Sequence, residues 1–200
     1  MARYIFLDLE TTGLESGTDQ ITEAAWILDD GTERQFFVKH DRLPNEWVLT
    51  KSDYLNRIVL AQKVELREAL EQLAGDCYRL TMERAAYEVV RETALGSFTA
   101  TEYDEAKIEK VYLVGACPAF DDRFLRVAFG GSPIPYNYHV IDVEAMAMGL
   151  LGQDAPGSLK TLREALGIPG ENPAAHTALS DAREVKIIFE AIRARAPVAK

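Results

Sequence analysis

The sequence predicts an α/β fold, and three observations carry that prediction. The chain opens on an apolar run from Arg3 to Leu9 that reads as a strand. Asp29-Asp30-Gly31 supplies a hairpin, because a tight hairpin turn needs residues that accept positive φ. The short apolar run Val111 to Gly115 is then followed by Phe120, Phe124, Val127 and Ala128 at helical spacing, the strand-then-helix alternation of an α/β chain.

In the first strand Ile5, Leu7 and Leu9 point one way and Phe6, Asp8 and Glu10 the other, since strand side chains alternate. Asp8 and Glu10 therefore share a face. Two neighbouring anions on so apolar a strand repel one another and lose hydration, a cost that falls away if a cation sits between them. The plainer reading is a strand running into a solvated turn at Thr11-Thr12-Gly13, with the acids marking its end.

Proline is absent between Pro44 and Pro118, and Leu66, Leu70, Leu73, Cys77 and Leu80 lie on one helical face opposite a face rich in Glu and Arg. These features predict a helical insertion over residues 61–95, packed on the body of the domain, with Gly75-Asp76 as a candidate break. A coiled coil that binds a partner is the alternative use of the same pattern. Gly96 to Thr101 reads as a loop returning to the sheet.

Two acids adjoin after the Val111 strand, Asp121 and Asp122. Residues one apart in a helix point about 100° apart, so only one of the pair can face a metal. Near the end of the sequence Pro173 blocks a helix arriving from upstream, and Leu179, Ala182, Val185, Ile188, Phe189 and Ile192 give helical periodicity from Ala178 to Ala194. His176 then stands at or before the first turn with Asp181 five residues on, an imidazole and a carboxylate at one helix end. Taken alone, such a histidine reads as a surface or capping residue.

Together these stretches resemble the DnaQ-like, DEDDh-type 3′-to-5′ exonucleases of the ribonuclease H-like superfamily. Asp8, Glu10, Thr11 and Gly13 match the first motif, Asp-x-Glu-Thr-x-Gly. Phe120, Asp121, Phe124 and Leu125 match the second, which selects Asp121 over Asp122, and His176, Ala178, Asp181 and Ala182 match the third. The motifs fall in the family's order, and weaker similarity at Ile21 to Ala25, Ile141-Asp142 and Leu159 to Ile168 extends the match over most of residues 3–44 and 110–195. Ala116 and Cys117 replace the His-Asn common in the family, which removes a side-chain amide but no metal ligand.

The resemblance implies a mixed five-stranded sheet flanked by helices, opening with three antiparallel strands near Arg3 to Leu9, Ile21 to Asp29 and Thr32 to Lys39 and continuing with strands near Val111 and Tyr138. It also implies a chemistry. Asp8, Glu10, Asp121 and Asp181 would hold two divalent cations, Mg²⁺ or Mn²⁺, which in such sites lie about 3.5–4 Å apart, and His176 would take a proton from the attacking water. Thr11, Thr12 and Leu14 would line the pocket for the terminal nucleotide. LDLETTG is more similar to the proofreading branch than to the oligoribonuclease branch, which favours single-stranded DNA 3′ ends, with RNA 3′ ends as the alternative. An inactive nucleic-acid-binding or scaffold protein of the same fold is a third reading, against which stand five retained chemical residues that a binding module does not need.

Composition is consistent with these expectations. Two hundred residues with 48% hydrophobic content suffice for one core, and no Pro- or Ser-rich linker divides them, so residues 1–200 read as a single domain. Cys77 and Cys117 lack metal-site spacing and read as reduced thiols. Met1-Ala2-Arg3 leads directly into a core strand without a signal peptide or a membrane-length apolar run, which predicts a cytoplasmic protein with no membrane contact. A net charge of −10 opposes sequence-independent grip on long polyanions, so the site is expected to hold only the last few nucleotides.

Overall fold

A computed structural model describes residues 2–51, 54–93, 96–170 and 176–195; Pro173, read above as the block before the last helix, lies outside the described residues. Three strands open the chain, β1 Tyr4–Thr11, β2 Ile21–Leu28 and β3 Glu33–Val38. They pair antiparallel, β1 with β2 and β2 with β3, and Gly31 holds φ 88 in the turn between the last two. Two short helices follow, α1 Glu46–Lys51 and α2 Tyr54–Arg57, then the two-residue strand β4 Lys63–Val64, which runs parallel to β3. This sixth strand extends the five expected, and two residues are too few to show alternation in sequence.

The insertion departs further from expectation. Among its described residues only α3 Leu66–Ala85 is helical; β5 Ala86–Thr93 and β6 Gly96–Tyr103 pair as a separate antiparallel ribbon, so Gly96 to Thr101 is strand rather than loop. The reason lies in composition: Tyr87, Val89, Val90, Phe98, Thr99, Thr101 and Tyr103 favour an extended pleat, while the helical face ends at Leu80. Gly75-Asp76 does not break α3. The Asp76 carboxylate is buried there, accepting hydrogen bonds from Trp26 Nε1 at 3.0 Å and Arg34 Nε at 3.2 Å, which anchors the helix to the sheet.

A 3₁₀ turn at Glu105–Lys107 leads to β7 Tyr112–Gly115, then α4 Ala119–Ala128, β8 Ile141–Asp142, α5 Val143–Leu151, α6 Leu159–Ala165 and α7 Ala178–Arg195. The strand expected near Tyr138 begins instead at Ile141; Tyr138 is exposed, and Asp142 turns the chain at once into α5 by accepting from the Glu144 and Ala145 amides. Strand order is β4-β3-β2-β1-β7-β8, with β7 parallel to β1 and β8 parallel to β7. β1 and β2 hold the centre of this order, with strands on both sides of each.

Alternation along β1 divides the core as its sequence predicts. Ile5, Leu7 and Leu9, with Trp26 and Leu28, pack against Leu73, Cys77 and Leu80 of α3 and Phe124 and Leu125 of α4. Phe6, Ile27 and Val114 pack on the opposite face against α5, α6 and α7, meeting Ala147, Leu162, Val185, Ile188 and Phe189. Each fully buried side chain of this size contributes about 1.5–3 kcal/mol. Both layers are thus clamped on β1, and the end of its polar face is left for Asp8 and Glu10. Among the described residues no helix is long and apolar enough to cross a membrane.

Candidate metal centre

Asp8 and Glu10 stand on the face of β1 turned toward α7, and Asp181 comes from the first turn of that helix. One carboxylate oxygen from each lies within 4.8 Å of the others. Thr177 starts α7 by accepting the Asp181 amide on its carbonyl at 2.9 Å, and the Asp181 carboxylate reaches back to accept the His176 backbone N–H, also at 2.9 Å. That reciprocal contact fixes the helix start and places His176 beside the cluster. His176 itself is exposed, its backbone lies in the left-handed region at φ 66, and its ring meets Trp47 of α1 edge to face at 5.9 Å.

Asp121, the first-turn acid of α4, approaches from the other layer. It is 3% exposed and accepts the Leu9 backbone N–H at 3.0 Å, so its carboxyl sits directly under the strand that carries Asp8 and Glu10. Asp122 points elsewhere, accepting from the buried Tyr136 hydroxyl at 2.9 Å and from Arg126 at 2.7 Å. Half-buried rather than solvated, it braces α4 against the Tyr136 segment, the two acids diverging as adjacent helical positions must.

The cluster is electrostatically strained when it holds only carboxylates. Burial, reinforced by Asp121, Asp181 and Glu10, raises Asp8 well above the usual carboxylate range. Burial followed by the charges of Glu23 and Asp181 pushes Glu10 up to about 8, and burial pushes Asp121 to about 8 despite the amide it accepts from Leu9. A donor set made only of carboxylate oxygens suits a hard divalent cation, whose charge would offset this repulsion.

A linkage prediction follows. With folded values of about 8 for Glu10 and Asp121 against ordinary values of 4.5 and 3.8, the folded state binds more protons than the unfolded state between those limits. Stability of the metal-free protein from these groups therefore falls as pH rises from about 5 to 8. In EDTA, Glu10→Gln should flatten that fall and be the more stable protein at pH 9, by about 2–4 kcal/mol relative to its difference at pH 5. Urea unfolding at both pH values checks this. Parallel curves for the two proteins would mean that Glu10 carries no burden in the fold.

Thr11, Thr12 and Leu14 divide into two roles. Thr11 Oγ1 donates to the Gly13 carbonyl at 2.6 Å, and Thr12 Oγ1 donates to Asp19 at 3.0 Å while accepting the Gln20 amide. Both threonines are buried and shape the turn, and a Cβ at Gly13 would come within 2.5 Å of the Asp19 carboxylate, which is why glycine fits there. Leu14 emerges from this turn 65% exposed. Cys117 stands in the left-handed region at φ 50, a conformation in which Asn is more at ease than Cys.

Sequence reasoning missed two residues. Glu23 faces Glu10 across the β1–β2 ladder and is fully buried, while Arg57 from α2 donates to it at 2.8 Å and Gln35 at 2.7 Å. Neither follows a local pattern: β2 is buried along its whole length, and Arg57 reaches its partner across thirty-four positions.

No family model and no curated protein matches the sequence. Solved structures do match in fold. An E. coli exonuclease I–ssDNA complex in a zinc-bound form superposes with TM-score 0.66 at 18% identity, over 99% of this chain and 42% of that one. Exonuclease I from Methylocaldum szegediense gives TM-score 0.69 at 16% identity over 99% and 42%. E. coli exonuclease I with a dA16 oligonucleotide gives 0.65 at 19% over 98% and 42%. The chain thus spans about two fifths of the length of these exonucleases, and its six-stranded mixed sheet with flanking helices is their ribonuclease H-like fold.

Proposed function

We propose that this chain is a divalent-cation-dependent 3′-to-5′ exonuclease of the DEDDh type that removes nucleoside 5′-monophosphates from single-stranded DNA. The observation that carries the reading is the convergence of Asp8, Glu10 and Asp181 within 4.8 Å, on a fold shared with exonuclease I structures that include an ssDNA complex and a dA16 oligonucleotide complex. The strain among these carboxylates supports it, because an internal cluster of anions costs stability and is kept where it serves chemistry.

In this reading Asp8, Glu10 and Asp181 would hold one cation, and Asp8 with Asp121 a second. Bound there, the cations supply a lowered pKa for attacking water and charge stabilisation for the departing 3′ oxygen. His176, beside Asp181 and open to solvent, accepts the proton of that water. Leu14 and Trp47, 65% and 56% exposed, offer apolar faces to the terminal bases, a mode of grip that does not depend on net charge. Thr11 and Thr12 contribute by holding the turn that presents Leu14.

The deciding experiment is a degradation ladder on 5′-labelled single-stranded DNA and RNA of equal sequence. DNA should shorten stepwise from its 3′ end with Mg²⁺ or Mn²⁺, stop with EDTA, and resume when either ion is restored. Hydrolysis that survives chelation would remove the two-metal mechanism. A ladder on RNA alone would move the substrate to RNA, and binding without cleavage of either would leave a nucleic-acid-binding protein.

A further inference from the structure

Glu23 is a fifth acid at this site, and its surroundings set it apart from the other four. It lies directly opposite Glu10 in the ladder, yet both its oxygens are already engaged, Oε2 by Arg57 Nη2 at 2.8 Å and Oε1 by Gln35 Nε2 at 2.7 Å. A buried ion pair of this kind contributes little to stability compared with apolar side chains of the same volume, so stability alone does not account for it. Arg57 has a second contact. Its other terminal nitrogen, Nη1, donates to the His176 carbonyl at 3.4 Å, linking α2 to the residue that precedes α7 by two positions.

We propose that Arg57 is a positioning residue: its guanidinium ties the buried Glu23 on the sheet to the backbone of His176 and so sets the position of the imidazole relative to the carboxylate cluster. This rests on the exonuclease reading above. The tie suits the place it holds. His176 is exposed, carries a left-handed backbone, and is held by its own N–H to Asp181 on one side; the bond to its carbonyl restrains the peptide on the other. Trp47 of α1 meets the His176 ring edge to face at 5.9 Å, a second contact between this part of the chain and the histidine. Arginine is the residue for this task because its two terminal nitrogens are separated in a rigid fork and can serve two acceptors, whereas a lysine ammonium is one point on a flexible stem.

Two variants test it. Glu23→Gln/Arg57→Met removes the buried charges together, so that neither is left unpaired, and Arg57→Lys keeps the charge without the fork. The first readout needs no catalysis: the ring resonances of the three histidines by NMR, with His139 as the unaffected reference. In both variants the His176 resonance should shift and narrow as the loop loses its restraint. The second readout is steady-state hydrolysis of a short DNA oligonucleotide, where kcat should fall about tenfold to a hundredfold with little change in KM, the signature of a misplaced group rather than lost binding. Unchanged His176 resonances with wild-type kcat in the double variant would overturn the proposal, as would full recovery of both by lysine. Should the double variant not fold, Arg57→Lys decides on the same two readouts. A wild-type protein without nuclease activity whose His176 resonance still responds to these variants would mean that the exonuclease reading has failed and the tie has not.

Discussion

Asp8→Ala and Asp181→Ala should each lower kcat by at least about a thousandfold while the protein stays folded, since removing a metal ligand removes several kcal/mol of transition-state stabilisation. The expectation of a retained fold is specific to this site. Asp8 is held far above the ordinary carboxylate range by burial and by its acidic neighbours, so its removal relieves repulsion in the metal-free state and should raise the melting temperature measured in EDTA. Asp181→Ala behaves differently in one respect, because it also deletes the acceptor of the His176 amide and loosens the start of α7. Asp122→Ala is the control. It should leave hydrolysis per folded molecule unchanged and cost about 1–2 kcal/mol of stability, because the buried Tyr136 hydroxyl loses its acceptor. Loss of activity on Asp122→Ala with activity kept on Asp121→Ala would reverse the assignment of the second motif.

That contrast shows what a sequence conveys about such a site and where it stops. The placement of Asp8 and Glu10 on one face follows from strand alternation alone, and the central position of β1 then leaves them half-buried. The approach of Asp181 is nearly as legible: helical periodicity from Ala178 onward fixes which face of α7 packs on the sheet, and a first-turn acid is carried to its edge. The direction of Asp122 is not legible, because its partner Tyr136 lies in an irregular segment that no periodic pattern announces. Glu23 and Arg57 are hidden for a related reason. Their pairing depends on the β1–β2 register and on how α2 folds back over the sheet, both properties of tertiary structure.

The insertion illustrates the opposite failure, a local signal carried too far. The Leu66 to Leu80 face is real and packs α3 on the core, but no apolar residue continues it at helical spacing, and from Ala86 the side chains are those of a ribbon. Tyr87 pairs across to Glu102 and donates its hydroxyl to that carboxylate, a cross-strand contact that a helix would not allow. The β-branched and aromatic residues of Tyr87 to Thr93 and Phe98 to Tyr103 are the signal for a ribbon, and the absence of proline conceals it by allowing one long helix. Gly96, at φ 125, marks the turn side of the ribbon and is the residue there that most needs to be glycine.

The second large effect is expected at His176, where catalytic and structural roles must be separated. The left-handed backbone at φ 66 decides which substitution is informative. Alanine would add backbone strain to the loss of the ring, whereas asparagine tolerates this region and keeps the N–H that Asp181 accepts, so His176→Asn removes little except the imidazole. As a proton acceptor the ring should be worth about a hundredfold to ten-thousandfold in kcat, the usual contribution of one acid-base group. Melting temperature should stay near that of the wild type, because His176 is exposed and its aromatic contact with Trp47 lies at the surface. The rise in melting temperature caused by Mn²⁺ should also persist, since the three-carboxylate cluster does not include the imidazole. Added imidazole should restore part of the lost rate, as the position is open to solvent. A variant that hydrolyses DNA at the wild-type rate would end the general-base assignment, and one that loses the Mn²⁺-induced rise would make His176 a ligand of the cation instead.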